Sequence, residues 1–533
     1  MTSIIYSSIP CGFGGAIISI EADKNRGLPS FNIVGMAAKT VNEAKDRVRS
    51  AISNSNFTFP ASKVTVNLAP ADLPKNGTHL DLPIAIAILC LSGELSASDL
   101  KYTAFVGELS LNGDLKPVKG IVNLVEEAKN TGFSTIFLPK NNFNQASLVQ
   151  NIKIIPVDNL RNLFLHLKNI KPLLIPDPAP PQESAHDTPL APQASNKNTT
   201  KNDTLSLFDS IVGQSLAKRA LAIAVAGRHN ILFYGPPGSG KTMLARSAIE
   251  LMPPPSSEEL VEIAKVNSLV SLSDKLQLTR PFRSTHHTAS FASILGGGSN
   301  PSPGEITLAH KGVLFLDEFP EFSRYTLESL RQPLEGKFII INRAKYQFSY
   351  PADFMLIAAM NPCPCGHLGD QNHPCTCTAS ELSNYRKKLS GPLLDRIDLI
   401  VKVTPTDIKN FSSSKHTKKP SNTAKSSSTD FSTLNVVKNT ITEASKLQHL
   451  RFSNFYTFNS SATSAQTQLR MNLSNSAKSL LDQSANSLKL STRTYLKTIK
   501  VARTIADLEQ SEEINNAHIA EALSYRKSPF QEF

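Results

Sequence analysis

The sequence has no apolar run long enough to cross a membrane. The longest apolar stretch of the N-terminal part, residues 84–91, is far shorter than the roughly 18 residues that a membrane span needs. The first residues, Met1 to Tyr6, also lack the basic head and apolar core of a secretory signal. These absences predict a cytoplasmic protein with no membrane partner.

Cysteine is scarce too, with six residues in a chain of 533. This density does not indicate the disulfide framework of a secreted protein. Four of the six form two Cys-x-Cys pairs, Cys363 with Cys365 and Cys375 with Cys377. Four thiolates could hold a tetrahedral Zn²⁺, although free thiols in a tight loop would explain the same spacing. We expect any zinc here to be structural.

Acidic residues are outnumbered by basic ones, which gives a net charge of +12 and a pI near 9.3. Such a balance favours a polyanionic partner such as nucleic acid over an acidic protein. Part of the excess lies in a Ser/Lys-rich stretch that a solvated loop explains equally well. Charge alone therefore gives only a weak indication of DNA.

The chain is too long for one hydrophobic core, so we expect several domains. Residues 171–204 are Pro-rich and residues 409–433 are Ser/Lys-rich, which predicts a linker and a flexible loop. Residues 1–170 alternate strand-like and helical runs, whereas residues 434–533 show helical spacing only. We therefore predict an α+β N-terminal domain, an α/β core at residues 205–408 and a helical C-terminal domain.

A nucleotide-binding signature opens the predicted core. The pattern Gly, four residues, Gly-Lys-Ser/Thr is filled by Gly235, Pro236, Pro237, Gly238, Ser239, Gly240, Lys241 and Thr242. A buried-strand pattern precedes it and a helical run follows, so phosphates would meet a ring of backbone N–H groups. Lys241 would hold the β- and γ-phosphates of ATP, and the Thr242 hydroxyl would ligate Mg²⁺.

Polar side chains end two further buried-strand patterns. Asp317 and Glu318 follow an apolar run, where the first would anchor the Mg²⁺ shell and the second would orient the attacking water. Asn361 follows the run from Met355 to Met360 and fits a sensor of the γ-phosphate. Downstream, Arg396 could stabilise the transferring phosphoryl group, although a surface ion pair with a neighbouring aspartate would also suit it.

Residues 337–348 predict a β-hairpin with its tip at 342–345. Such a hairpin would project Arg343 and Lys345 toward DNA phosphates. An exposed hairpin with ordinary surface charges remains the alternative interpretation.

Several longer segments carry a resemblance to a known family. They include the runs that begin at Arg280 (RPFRSTHHT), Pro303 (PGEITLAHKGVLFLDE), Ser390 (SGPLLDRID) and Lys500 (KVARTIADL). With these segments the chain resembles the ComM/YifB family, whose core is a magnesium-chelatase-like, P-loop AAA+ ATPase with a helical C-terminal lid. The resemblance covers nearly the whole chain apart from its linkers.

The resemblance implies a homohexameric ring that acts as a helicase on single-stranded or branched DNA. Such proteins drive branch migration during natural transformation, and recombination proteins would be further partners. Arg396 would be the finger that reaches the neighbour's ATP, and Arg493 would be the second sensor on the lid. Arg493 belongs to a cationic helical face, and we expect its other members to be solvated: Lys489, Lys497, Lys500 and Arg503.

The N-terminal domain resembles the proteolytic domain of Lon but departs from its Ser-Lys dyad. His79 stands where the nucleophilic serine should be, and Val122 replaces the lysine. Without a hydroxyl nucleophile and its base, peptidase activity is not predicted, although the nearby Lys75 or Lys119 could in principle serve otherwise. We expect a ring collar or a platform for DNA or a partner instead.

Two other functions remain open from the sequence. The chain could be the motor subunit of a metal chelatase, although relatives with that function lack a Lon-like domain. It could also be an ATP-dependent protein-remodelling factor, which the missing dyad disfavours.

Overall fold

The fold is described from a computed structural model. The description covers residues 2–35, 39–73, 75, 77–177, 206–298, 302–342, 347–369, 373–405, 433–453 and 457–526. Most of the predicted linker and loop, and the hairpin tip with Arg343 and Lys345, lie outside these residues. Within the described ranges, no helix is both long and apolar enough to cross a membrane.

The N-terminal unit is an α+β domain built on a seven-stranded mixed sheet in the order β3-β4-β2-β1-β5-β8-β9. Its strands are β1 (Thr2–Cys11), β2 (Gly14–Asn25), β3 (Ser30–Val34), β4 (Lys63–Ala69), β5 (Thr103–Phe105), β6 (Glu108–Leu109), β7 (Leu115–Lys116), β8 (Thr135–Pro139) and β9 (Lys153–Val157). Its helices are α1 (Lys39–Asn54), α2 (Asp81–Leu91), α3 (Ile121–Asn130), α4 (Phe143–Ala146) and α5 (Leu160–Leu167).

Helix α2 contains the apolar stretch of residues 84–91 noted above. Every residue of this helix is buried, so it has no polar face and shows no helical periodicity in the sequence. The helix packs on β1, β2 and α1 as the centre of the domain core. The longest apolar run thus serves a core rather than a membrane.

The second unit contains a five-stranded parallel sheet in the order β11-β14-β17-β10-β18. Its strands, with two short ribbons, are β10 (Ile231–Tyr234), β11 (Phe282–Thr285), β12 (Gly296–Gly297), β13 (Ser302–Pro303), β14 (Val313–Leu316), β15 (Phe338–Asn342), β16 (Gln347–Pro351), β17 (Met355–Met360) and β18 (Leu399–Lys402). The sheet strands β10, β14 and β17 are buried at every residue, as parallel strands covered on both faces should be.

Ten helices of this unit connect or cover the strands: α6 (Leu207–Ser210), α7 (Ser215–Gly227), α8 (Lys241–Leu251), α9 (Ser257–Val270), α10 (Phe291–Leu295), α11 (Glu305–Leu308), α12 (Arg324–Ser329), α13 (Arg331–Gly336), α14 (Ala379–Lys388) and α15 (Gly391–Leu394). Strands β15 and β16 pair antiparallel from Phe338↔Pro351 to Asn342↔Gln347, so the predicted hairpin forms.

The C-terminal region is helical, as predicted. Its helices are α16 (Leu434–Phe452), α17 (Ser464–Arg470), α18 (Asn475–Ser487), α19 (Thr492–Leu508) and α20 (Asn516–Ser524). Apolar residues of α16, α19 and α20 join those of α7, α8 and the sheet in one continuous hydrophobic core. The helical region is therefore packed on the second unit, and the fold class expected from the sequence is confirmed.

The expected solvated cationic face on α19 is wrong for three of its members. Arg503 is buried and pairs with Asp507 at 2.9 Å, and Lys497 pairs with the buried Asp398 at 2.6 Å. Lys500 donates a hydrogen bond to the backbone oxygen of Ser460 at 3.1 Å. Cations at helical spacing indicate an exposed face only when no buried acid lies opposite.

The N-terminal domain contacts the second unit through α9. Lys265 pairs with Glu126 at 2.5 Å, and the amide of Gly120 donates to the backbone oxygen of Ser268 at 2.7 Å. The Lys265 ammonium also lies 4.2 Å from the ring centre of Phe13, in the β1–β2 turn. These contacts, together with apolar side chains of α9 that pack against the N-terminal domain, join the two units.

Candidate nucleotide site

Parallel pairing brings the predicted site residues to one edge of the sheet. Tyr234 pairs with Met360, and Leu316 pairs with Ala358. The segments that follow these strands therefore leave the sheet at the same, carboxyl edge. There lie the residues that we call the P-loop face: Lys241, Thr242, Asp317, Glu318 and Asn361.

Lys241 is the buried centre of the P-loop face. Its Nζ donates to the backbone oxygens of Gly235 and Pro236, both at 2.8 Å, and to Asn361 Oδ1 at 3.2 Å. Burial lowers the pKa of Lys241 to about 8, against an opposing effect of the nearby Asp317 carboxylate. A buried cation that carbonyl oxygens hold in place would bind phosphate oxygens strongly.

The loop backbone leaves room for a ligand where glycine stands. Gly238 and Gly240 adopt φ values of +75° and +88°, and a Cβ at either position would meet no atom within 4 Å. At Gly235 the opposite holds, because a Cβ would lie 2.1 Å from the backbone oxygen of Val403. Glycine is thus required by conformation at two positions and by contact at the third.

The residues present fit a Mg²⁺–nucleotide complex. The Thr242 hydroxyl lies at the start of α8 and donates to Asp317 Oδ2 at 3.0 Å. A hydroxyl and a carboxylate already in contact, beside a helix N-terminus, form the oxygen-rich set that hard cations prefer. The residues that sequence reasoning assigned to phosphate and to magnesium are therefore brought together.

Glu318 has a partner that sequence reasoning missed. Thr285 pairs with Leu316, so positions two residues beyond each strand end are also neighbours. These are His287 and Glu318, whose Nδ1 and Oε2 atoms lie 2.8 Å apart. In the sequence, His287 belongs to a segment that carries the family resemblance, and its pairing with Glu318 depends on a strand register that the sequence does not state.

Arg396 lies at the opposite edge of the sheet, where the parallel strands begin. It precedes β18, whose first residue Leu399 pairs with Ile231 at the start of β10. The side chain of Asn230, just before β10, donates to the backbone oxygen of Arg396 at 3.1 Å. Arg396 is therefore at the amino end of the strand whose carboxyl end carries the P-loop.

Arg396 and Arg493 converge on one carboxylate. Arg396 Nη2 lies 2.8 Å from Glu335 Oε1, and Arg493 hydrogen-bonds the same oxygen from α19. Burial acts to raise the pKa of Glu335, but the two guanidinium groups outweigh it and lower the pKa. We call Arg396, Arg493 and Glu335 the arginine face; it borders a polar cavity of about 350 Å³.

The surface pairing considered for Arg396 is not what the structure shows. Its side chain is buried, and its guanidinium also donates to the backbone oxygen of Pro392 at 2.5 Å. Asp398 turns instead to Lys497, and this ion pair helps to keep the Asp398 pKa far below its usual value despite burial. Sequence reasoning missed Glu335 entirely.

The four clustered cysteines do come together. The Sγ atoms of Cys363, Cys365 and Cys375 are 3.3 to 3.7 Å apart, and that of Cys377 joins them within 4.8 Å. A tetrahedron with Zn–S bonds of about 2.3 Å has S–S edges of about 3.8 Å, so the four thiols fit zinc.

The loop that carries the four clustered cysteines, which we call the cysteine loop, packs directly on the P-loop. A Cβ added to Gly366 would lie 2.9 Å from Cδ of Pro237, so this loop and the P-loop are in close contact. The cluster thus lies beside the nucleotide site without belonging to the P-loop face.

The Lon-like positions do not form a catalytic pair. His79 is buried, and its Nε2 has no hydrogen-bond partner among the described residues. Burial lowers the pKa of His79 to about 4, so the ring is neutral at physiological pH. Val122 is buried in α3 among apolar side chains. These positions therefore contribute to packing.

Three family models match the chain. The model described as "Magnesium chelatase, subunit ChlI" matches residues 207–411. "Subunit ChlI of Mg-chelatase" matches residues 20–142, and "Magnesium chelatase, subunit ChlI C-terminal" matches residues 432–526.

Similar proteins extend over almost the whole chain. Competence protein ComM of Haemophilus influenzae is 41% identical over 530 residues, which cover 98% of this chain and 97% of that protein. The uncharacterised protein YifB of Salmonella typhimurium is 39% identical over 529 residues, with the same two coverages. Lon protease 2 of Bacillus subtilis is 30% identical over 182 residues, which cover 30% of this chain and 33% of that protein. The chain belongs to the ComM/YifB family, whose magnesium-chelatase-like AAA+ core implies ATPase activity.

Proposed function

We propose that this chain is one subunit of a hexameric, ATP-driven DNA motor that promotes branch migration of recombination intermediates. The observation that carries the ring is the separation of the two faces. Lys241 follows the carboxyl end of β10, whereas Arg396 adjoins its amino end. The four residues of β10 span about 13 Å, and the Arg396 guanidinium contacts Glu335 rather than any group along the strand.

A finger that cannot serve its own P-loop can serve the P-loop of a neighbour. Arg493 shares Glu335 with Arg396, so both arginines would reach the same neighbouring site. A closed ring gives every P-loop face an arginine face, since each subunit offers one of each. The hydrolytic site is therefore proposed to form only between subunits.

The P-loop face supplies the remaining roles. Lys241 would bind the β- and γ-phosphates, and Thr242 with Asp317 would hold Mg²⁺, which neutralises phosphate charge when bound. Glu318 would orient the attacking water. Asn361 already bonds Lys241 and would report the γ-phosphate to β17.

We propose that the motor acts on DNA for three reasons, which are the β15–β16 hairpin, the net positive charge of the chain and the name of a similar protein. The strands β15 and β16 are paired, and the sequence between them contains Arg343 and Lys345, two cations suited to phosphates. The net charge of +12 agrees with a polyanionic partner. A relative 41% identical over the chain is called a competence protein.

A branch-migration assay on a three-way DNA junction tests this function. The full-length protein should convert the junction in the presence of ATP and Mg²⁺, and branched DNA should stimulate its ATP hydrolysis. Glu318→Gln should bind the junction without converting it, because the water would not be activated. Turnover indifferent to both branched and single-stranded DNA would show that the motor proposal is wrong.

A structural zinc ion is proposed for the cysteine cluster. The cluster lies in the loop that contacts Pro237. Zinc would therefore make the P-loop face more rigid without taking part in the reaction.

One alternative function has an observation in its favour. The three matching models are described by magnesium chelatase, which inserts a metal into a tetrapyrrole. Porphyrin-dependent ATP turnover with no response to DNA would favour that alternative.

A further inference from the structure

Glu335 lies where an arginine finger and a second sensor meet. It is the next-to-last residue of α13, and its side chain is 44% exposed on the rim of the cavity that the arginines border. One of its oxygens receives both Arg396 and Arg493. These two arginines come from segments far apart in the chain, and Glu335 bridges their guanidinium groups.

A carboxylate between two guanidinium groups resembles a phosphate chemically. A carboxylate is planar and a phosphate is tetrahedral, but arginine binds the oxygens of both through paired N–H groups. The Nε of Arg396 is buried and has no hydrogen-bond partner among the described residues. The arginine face is therefore held together by an anion yet keeps an unused donor, which suits exchange of Glu335 for a stronger oxyanion.

Glu335 is also tied to the hairpin proposed to bind DNA. Helix α13 ends at Gly336, and β15 starts two residues later at Phe338. The residue between them, Lys337, fixes the hairpin base through an ion pair of 3.0 Å with Asp353. Its backbone oxygen also accepts from the amide of Ala352 at 2.8 Å. A shift of the hairpin would therefore move Glu335.

We propose that Glu335 is a positioning residue that occupies the arginines in place of the neighbour's γ-phosphate, and that movement of the hairpin on DNA releases them. This inference rests on the proposed function, since it assigns a brake to the same site. In the absence of DNA, Glu335 competes for the two arginines and slows turnover. With DNA bound, the arginines are free to reach the neighbouring nucleotide.

The test uses the full-length ring and compares Glu335→Gln with the wild type. Glutamine keeps the size but loses the charge, so basal kcat should rise roughly two- to fivefold, the factor expected from a partly exposed ion pair. The KM for ATP should stay unchanged because the P-loop face is untouched. Stimulation by a three-way junction should shrink by the same factor, since the brake is already off.

Two matched variants exclude a general effect of removing an acid. Glu443→Gln removes an exposed glutamate that pairs with Lys446 on α16, and it should leave kcat and stimulation at wild-type values. In an Arg396→Ala/Arg493→Ala background, Glu335→Gln should change nothing further, because it acts only through those arginines. Melting temperatures of all variants confirm that they fold.

The outcomes separate this inference from the proposed function. If branched DNA does not stimulate the wild type but Glu335→Gln still raises basal kcat, the brake holds and the DNA function fails. If DNA stimulates the wild type and Glu335→Gln alike with equal basal rates, the brake is wrong. A lower basal kcat in Glu335→Gln would also overturn it, because Glu335 would then assist the arginines.

Discussion

The P-loop face and the arginine face differ in how completely each is assembled within one chain. On the P-loop face, Lys241, Thr242, Asp317 and Asn361 already bond to one another or to the loop backbone. On the arginine face, two guanidinium groups share one half-exposed carboxylate. The first face is arranged to bind a ligand within one chain, whereas we propose that the second completes the site of a neighbouring subunit. If the arginine face serves a neighbouring subunit, binding and hydrolysis of ATP should be separable.

The largest expected effect comes from removing the centre of the P-loop face. Lys241→Ala should abolish ATP binding and reduce turnover to background, because a buried cation held toward the phosphates is lost. Binding is measured by titration calorimetry and turnover by phosphate release. Lys387→Ala, an exposed lysine of α14, is the matched control and should bind ATP normally. Undiminished affinity in Lys241→Ala would refute the assignment of the P-loop face.

Removing the finger should break hydrolysis but not binding. Arg396→Ala should retain ATP affinity and lose about 10³-fold in kcat, the effect of a missing arginine finger. Normal turnover would exclude a role for this residue.

Rings assembled from two different variants test whether Arg396 acts on a neighbouring subunit. Lys241→Ala and Arg396→Ala subunits are each inactive alone. When they are mixed, an intact P-loop face meets an intact arginine face at some interfaces, and part of the activity should return. A mixture as inactive as its components would show that Arg396 serves its own subunit.

The two faces also differ in how far they could be predicted from the sequence. The P-loop face follows from local patterns, since its residues belong to segments that come after apolar strands, and the carboxyl ends of parallel strands share an edge. The arginine face does not. Arg493 meets Glu335 across 158 residues of sequence, and the meeting depends on how α19 packs beside α13. No periodicity or spacing encodes such a contact.

The same limit explains two other differences between expectation and structure. Lys497 was expected to be solvated because its helical spacing was visible, whereas the buried Asp398 opposite it was not recognisable as its partner. Helix α2 was not predicted, because a helix that is buried all round has no polar face to reveal its period. The domain boundaries remain predictions, since the intervening segments lie largely outside the described residues.

Asp398 provides a smaller test, which concerns the support of the arginine face. It accepts from the amide of Asn230 at 3.0 Å and pairs with Lys497, so it ties α19 to the sheet near Arg396. Asp398→Asn should reduce the free energy of unfolding by about 3 kcal/mol, because Lys497 loses its charge partner. Denaturant titration measures this loss. Asp482→Asn, whose exposed carboxylate bonds Tyr495, should cost less than about 0.5 kcal/mol.

The pH dependence of the Asp398 contribution has a defined sign. The folded pKa of Asp398 is lowered, so its stabilisation is present above the unfolded value of about 4 and is lost as pH falls below it. Asp398→Asn should therefore lose less stability than the wild type between about pH 5 and pH 2. Identical acid profiles would show that the carboxylate contributes nothing through its charge.

The smallest expected effect concerns the cysteine cluster beside the P-loop face. Cys375→Ser removes one of four clustered thiols, so zinc content should fall from about one ion per chain to near zero. Because the cysteine loop contacts Pro237 from outside the site, ATP affinity should change little, while the melting temperature should drop by about 2 to 4 °C. Cys11→Ser, in the N-terminal domain, should leave zinc content unchanged. Wild-type protein that holds no zinc under reducing conditions, with all four thiols open to alkylation, would show that the cluster is not a metal site.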